Sequence, residues 1–195
     1  MTTPTKLNLK IYQGSTFKTV LRWESATVAY APITSIPPAA PTVLTSVGHG
    51  IPAGWRAKIV NVGGMKEINN ATDYITIDSI SSNTVTINSI NSLGYTAYTS
   101  GGVLVYNVPQ NLAAVTARMQ IRSKISDTTF IDELTTENGK ILIDNTTKTI
   151  TLFLTDTTTA AYTFTSAVYS IELIVAGEVV PFVYGNITLV NEITR

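Results

Sequence analysis

Ala117-Arg118-Met119-Gln120-Ile121-Arg122 alternates apolar and polar residues at every position. A two-residue period of this kind is the signature of a half-buried β-strand, with Ala117, Met119 and Ile121 on one face and Arg118, Gln120 and Arg122 on the other. The same period returns on both sides of it. Downstream, Asn138-Gly139 has the composition of a hairpin turn, residues 149–155 place Ile150, Leu152 and Leu154 together, and residues 169–175 and 180–190 continue the pattern around a turn at Ala176-Gly177-Glu178. Upstream, Leu7, Leu9 and Ile11 oppose Lys6, Asn8 and Lys10. After Gln13-Gly14-Ser15, Phe17, Leu21 and Trp23 oppose Lys18, Arg22 and Glu24. These two segments read as antiparallel, half-buried strands. No window of useful length keeps a helical period; only residues 156–162 read as a short helix, with Asp156 as its cap.

Between these regions the style changes. Residues 31–41 carry four prolines, and residues 43–106 are dense in glycine, asparagine and serine. Strands are expected there at 43–47, 57–62, 73–80, 84–87 and 103–106, separated by turn residues. The fold class is therefore all-β: a discontinuous antiparallel β-sandwich formed by residues 1–37 and 105–195, carrying an inserted small β-barrel at 38–104.

Composition narrows the function. The chain has 195 residues, 44% of them hydrophobic, enough to bury a core without staples. Its 13 basic and 13 acidic residues cancel, so no long-range field gathers phosphate or anionic lipid, and neither nucleic acid nor membrane is expected as a partner. Charged residues make up 13% of the chain, against roughly a quarter in ordinary soluble domains. A surface so weakly charged suits a protein packed against neighbours. The absence of cysteine removes thiolate nucleophiles, disulfides and cysteine-based metal sites. Residues 1–5 lack the pattern of a signal peptide, and no apolar run approaches the ~20 residues that span a bilayer; synthesis in a cytoplasm is expected.

The chemistry-bearing residues are few. His49, the one histidine, lies in Gly48-His49-Gly50, a setting for a tight turn, with no nucleophile elbow or metal-ligand spacing beside it. Asp127, Asp132, Glu133 and Glu137 cluster in sequence and invite comparison with paired glycosidase carboxylates or a loose Ca²⁺ loop, but read more simply as a solvated loop and hairpin rim. Arg118, Arg122 and Lys124 form a basic stripe without interleaved aromatic residues, which reads as a solvated or interface strand face. Tyr95 and Tyr98 lie in a glycine- and asparagine-rich segment where tyrosines serve either as contacts or as packing. No catalytic, cofactor-binding or metal-binding residue is assigned, no cofactor is expected, and the candidate contact residues are Tyr95, Tyr98, Arg118 and Arg122.

Three motifs in order, Thr45 to Gly54 (with Gly48-His49-Gly50), Val62-Gly63-Gly64-Met65 to Asn69, and Gly94-Tyr95 to Gly101-Gly102, together resemble a small β-barrel module of phage proteins named after the first catalytic cysteine half-domain of ubiquitin-activating enzymes. The resemblance covers about a third of the chain and implies the barrel fold; thioester chemistry is excluded because it needs a cysteine. The flanking parts, with Tyr12-Gln13-Gly14-Ser15-Thr16-Phe17, the 117–122 strand, residues 169–173 and residues 185–195, resemble the β-sandwich of phage tail, baseplate and fibre-attachment proteins. That resemblance implies a non-enzymatic virion component, made in the host cytoplasm: a tail, baseplate, collar or head-to-tail adaptor protein. It would dock on a symmetric scaffold of tail, baseplate, portal or fibre proteins and form a symmetric homo-oligomer in the particle. The alternatives are a host-surface carbohydrate-binding protein and a capsid decoration protein.

Overall fold

The computed structural model describes residues 3–192. The chain is all-β, with strands over 53% of it and helix over 4%, so no helical layer is available to cover a sheet face. The strands are β1 (Thr5–Lys6), β2 (Leu9–Tyr12), β3 (Phe17–Leu21), β4 (Glu24–Pro32), β5 (Thr42–Thr45), β6 (Arg56–Gly63), β7 (Asn70–Thr76), β8 (Ser79–Ile80), β9 (Thr84–Ile87), β10 (Ser100–Pro109), β11 (Thr116–Arg122), β12 (Asp132–Thr135), β13 (Ile141–Asp144), β14 (Thr149–Leu154), β15 (Ser166–Val175) and β16 (Glu178–Val190). The single α-helix among the described residues is α1 (Asp156–Ala160). The chain forms two compact units, one made of the described residues up to Arg22 and from Asn111 onward, the other of Trp23–Gln110.

The first unit is a sandwich. Its larger sheet has the order β1-β16-β15-β11-β12, with β2 also on β16; the smaller is β13-β14-β3. Alternation does the sorting that the sequence announces. Ala117, Met119 and Ile121 of β11, Ala167, Tyr169, Ile171 and Leu173 of β15, and Ile150, Leu152 and Leu154 of β14 are all buried, each a position of the inward face. β15 and β16 form a hairpin closed by Ala176-Gly177, both at positive φ (50° and 86°), the backbone that a two-residue turn between twisted strands needs.

Several local expectations are corrected. The segments at 6–12 and 17–24 do not pair with each other: β1 and β2 run parallel to β16, while β3 pairs with β14 in the other sheet. The turn at Gln13-Gly14-Ser15 therefore carries the chain from one layer to the other. Asn138-Gly139 likewise joins β12 of one sheet to β13 of the other rather than closing a hairpin. The helix is capped by Thr155, whose Oγ1 accepts the Thr158 N–H at 3.2 Å, with Asp156 opening the first turn instead.

At the parallel junction, Tyr169 is buried and its hydroxyl donates to the Leu7 carbonyl at 2.7 Å. Burial pushes this phenol up to about 12, and burial with the bond to Asp132 pushes Tyr162 upward as well. A phenol whose folded pKa exceeds its unfolded value contributes stability that is complete below about pH 10 and is lost as pH rises through the folded value. Melting temperature measured from about pH 8 to 12 is expected to fall steeply above pH 10, with about 2–3 kcal/mol at stake for Tyr169 alone. Tyr169→Phe should flatten that fall.

The second unit has two sheets, β4-β10-β6-β7 and β5-β9-β8. They enclose one core around Trp55, Ile59, Met65, Leu104 and Ile87, and a bridge between Ser35 and Thr45 joins them along one seam. The strands expected at 43–47, 57–62, 84–87 and 103–106 are present with shifted ends, whereas the one expected at 73–80 is broken into β7 and β8, which belong to different sheets. The unit is wider than 38–104, because β4 pairs along β10 from Val103↔Pro32 to Pro109↔Glu24. Glu24-Ser25-Ala26-Thr27 has no strong apolar period, so its strand character is hidden until β10 is there to pair with it. Gln110 N–H donates to the Trp23 carbonyl at 3.0 Å, which holds the entry and exit of this unit side by side.

Candidate interaction surface

The outward face of the six-stranded sheet is built in rows set by register. One row runs Lys6, Tyr184, Ser170, Gln120, Glu133; the next holds Glu172, Arg118 and Thr135; a third holds Asn186, Val168 and Arg122. All of these except Glu133 and Thr135 line an open groove of about 740 Å³. The two arginines singled out from alternation thus stand on one face of β11 and border the same groove.

Their charges are engaged within the face. Arg118 donates to Glu172 at 2.8 Å, and that bond, with the carboxylate charge, pushes its guanidinium further up. Arg122 donates to the Asp127 carbonyl and, at 2.6 Å, to Gln120, whose amide donates to Glu133 at 2.7 Å. An exposed pair such as Arg118–Glu172 adds at most about 1 kcal/mol to stability; its effect is to fix side chains and present an ordered polar surface. The loop at 123–131, whose Ile125 lines the groove, exposes Ile125 (87%), Phe130 (50%) and Ile131 (38%). Sequence reasoning passed over these three. The signal was there: Ile125 and the adjacent Phe130-Ile131 stand in a polar segment with no strand period to bury them.

Tyr95 and Tyr98 lie in the other unit and pack against its core. The Tyr98 hydroxyl donates to the Ile33 carbonyl (3.2 Å) and the Gly101 carbonyl (2.9 Å). Packing within its own unit is thus the role that these contacts give Tyr98. The neighbouring motif is also structural: Gly64 has φ 76° and sits against the Ala97 carbonyl, leaving no room for a side chain.

His49 is buried and committed. Its Nδ1 accepts the Ile51 N–H at 3.0 Å, Nε2–H donates to the Ser81 carbonyl at 2.8 Å, and its own carbonyl accepts the Tyr106 hydroxyl at 2.6 Å. These bonds fix one neutral tautomer and leave neither ring nitrogen for a substrate. The acidic cluster is dispersed among separate partners. Asp132 accepts from Lys140 and from Tyr162, both at 2.6 Å, Glu133 accepts from Gln120, and Glu137 from Thr136 at 3.0 Å. Among the described residues no three acidic or histidine side chains gather as a metal site, and no helix is long and apolar enough to cross a membrane.

No protein-family model matches the chain, and no curated protein matches it in sequence.

Proposed function

We propose that the chain is a non-enzymatic structural component of a phage virion, of the tail, baseplate, collar or head-to-tail region, docking on a symmetric scaffold through the outward face of its six-stranded sheet. The observation that carries this reading is the exposed apolar loop at 123–131 beside an ordered polar face. Apolar side chains held in water gain free energy when a partner covers them, and interfaces combine such an apolar centre with a hydrogen-bonded polar rim. The low charge of the chain and the resemblance of its flanks to tail and baseplate sandwiches support the same reading.

The test uses particles of the phage that encodes the chain. The protein is expected in purified virions at a fixed copy number by quantitative mass spectrometry. A variant carrying Ile125→Asp and Phe130→Asp should melt like the parent yet be missing from particles. Absence of the parent protein from virions, or normal incorporation of the folded variant, would reject the proposal.

A further inference from the structure

The geometry points to a two-fold dimer of this chain, formed by antiparallel pairing of β4 with β4 of a second copy and centred on Ala29. This surface belongs to the second unit, and the inference holds whether or not the groove of the first unit docks on a virion. β4 is an edge strand, bonded only to β10. Ile33 N–H donates to the Gly102 carbonyl at 2.9 Å, and the register continues Leu104↔Ala31, Val105↔Tyr30, Tyr106↔Ala29, Asn107↔Val28. Bonded and non-bonded pairs alternate along an antiparallel ladder. Ala29 and Ala31 therefore spend their backbone groups on β10, and Val28 and Tyr30 turn theirs outward. Among the described residues no backbone hydrogen bond reaches those outward groups. The side chains there are exposed too, Val28 by 43% and Tyr30 by 69%.

The occupant follows from what the strand lacks. Other sheet edges carry a guard against pairing with another chain. β12 and β13 are four residues long and hold Asp132 and Asp144; the β1–β2 edge is broken and carries Lys6 and Lys10; β3 presents Lys18; β7 carries Asp73 and a register shift against β6. β5 is bridged to Ser35, and β8 has only two residues. β4 runs for nine residues, and its sole charge, Glu24, is already held by Arg56 at 2.6 and 2.7 Å. Its register shift against β10 falls between Glu24 and Val28, and from Val28 to Ala31 it has no charge, no proline and no further irregularity.

The segment is also its own complement. With Ala29 on the two-fold axis, Val28 lies opposite Tyr30 of the second copy and the reverse, each an N–H and C=O exchange carrying an aromatic–β-branched side-chain pair. Ala29 meets Ala29 in the close, non-bonded position, where a small residue fits.

Sedimentation velocity of the full chain is expected to show a dimer. Val28→Pro removes an outward N–H without touching the β10 ladder, and Tyr30→Lys places like charges across the axis. Each should weaken dimerisation by about tenfold or more while leaving the melting temperature near that of the parent. Because the chain has no cysteine, register can be read by cross-linking. Ala29→Cys should oxidise to a disulfide dimer, whereas Thr27→Cys, placed opposite Ala31, should not. A parent chain that stays monomeric at all concentrations would overturn the inference. So would a dimer that survives both Val28→Pro and Tyr30→Lys and fails to cross-link through Ala29→Cys.

Discussion

Gly185→Ala is expected to cost the sandwich about 3 kcal/mol or more, and to abolish the parallel pairing of its first strands. Gly185 lies on β16 where the partner strand is interrupted between β1 and β2, and a side-chain carbon there would occupy the position of the Leu7 carbonyl. The backbone at Leu7 has little freedom to retreat. Its N–H donates to the Tyr184 carbonyl at 2.9 Å, its carbonyl accepts the Tyr169 hydroxyl, and Asn8 accepts the Asn186 N–H at 3.1 Å. A glycine inside a strand is required where another backbone approaches this closely. Gly177→Ala makes the control: nothing lies within 4 Å of the added carbon, and only the positive φ of 86° is penalised, at about 1–2 kcal/mol. Urea unfolding of both variants should separate the two costs. Equal losses would show that close approach at Gly185 is not what excludes a side chain.

Trp55→Ala is expected to cost the second unit about 3–5 kcal/mol, a large share of the stability of an ordinary domain. Trp55 is fully buried at the centre of that core, and its indole N–H donates to the Asn107 carbonyl at 3.0 Å. The substitution removes the largest side chain of the cluster and leaves that carbonyl without its donor. Trp55→Phe keeps most of the apolar volume and should lose about half as much, since what disappears is mainly the hydrogen bond and part of the ring. The cluster around Trp55 is drawn wholly from the second unit, so calorimetry of Trp55→Ala should show one transition lowered or lost with the other retained. A single cooperative transition, lowered as a whole, would mean that the units share their stability.

The strands legible in the sequence were those whose inward and outward faces differ in chemistry. β11 and β14 alternate cleanly, and β9 was readable to the residue at Thr84–Ile87. What escaped was pairing between distant segments. The parallel contact of β1 and β2 with β16 joins opposite ends of the described chain and leaves no local trace, because apolar alternation is the same for either strand direction. β4 escaped because its small residues blur the period. The site shows the same division. Alternation put Arg118 and Arg122 on one face, but their setting depends on cross-strand neighbours: Glu172 opposite Arg118, and Asp127 in the loop beyond Arg122. Tyr98 read equally as a contact or as packing, and what decides it is the pair of carbonyls, from Ile33 and Gly101, that collect its hydroxyl.

The parallel arrangement of β1 and β2 on β16 bears on how the sandwich carries load. In a hairpin pulled at its two ends, bonds open one after another, each meeting the force alone. When two strands run in the same direction and tension enters ahead of one and leaves after the other, they must slide lengthwise, and every bond between them is strained at once. Leu9↔Ile187 through Tyr12↔Val190, with Thr5↔Val183 and Lys6↔Tyr184 ahead of them, would meet a pull along the chain as a single shear joint. A protein tied at one end and tugged at the other would hold there before any inner strand felt the force.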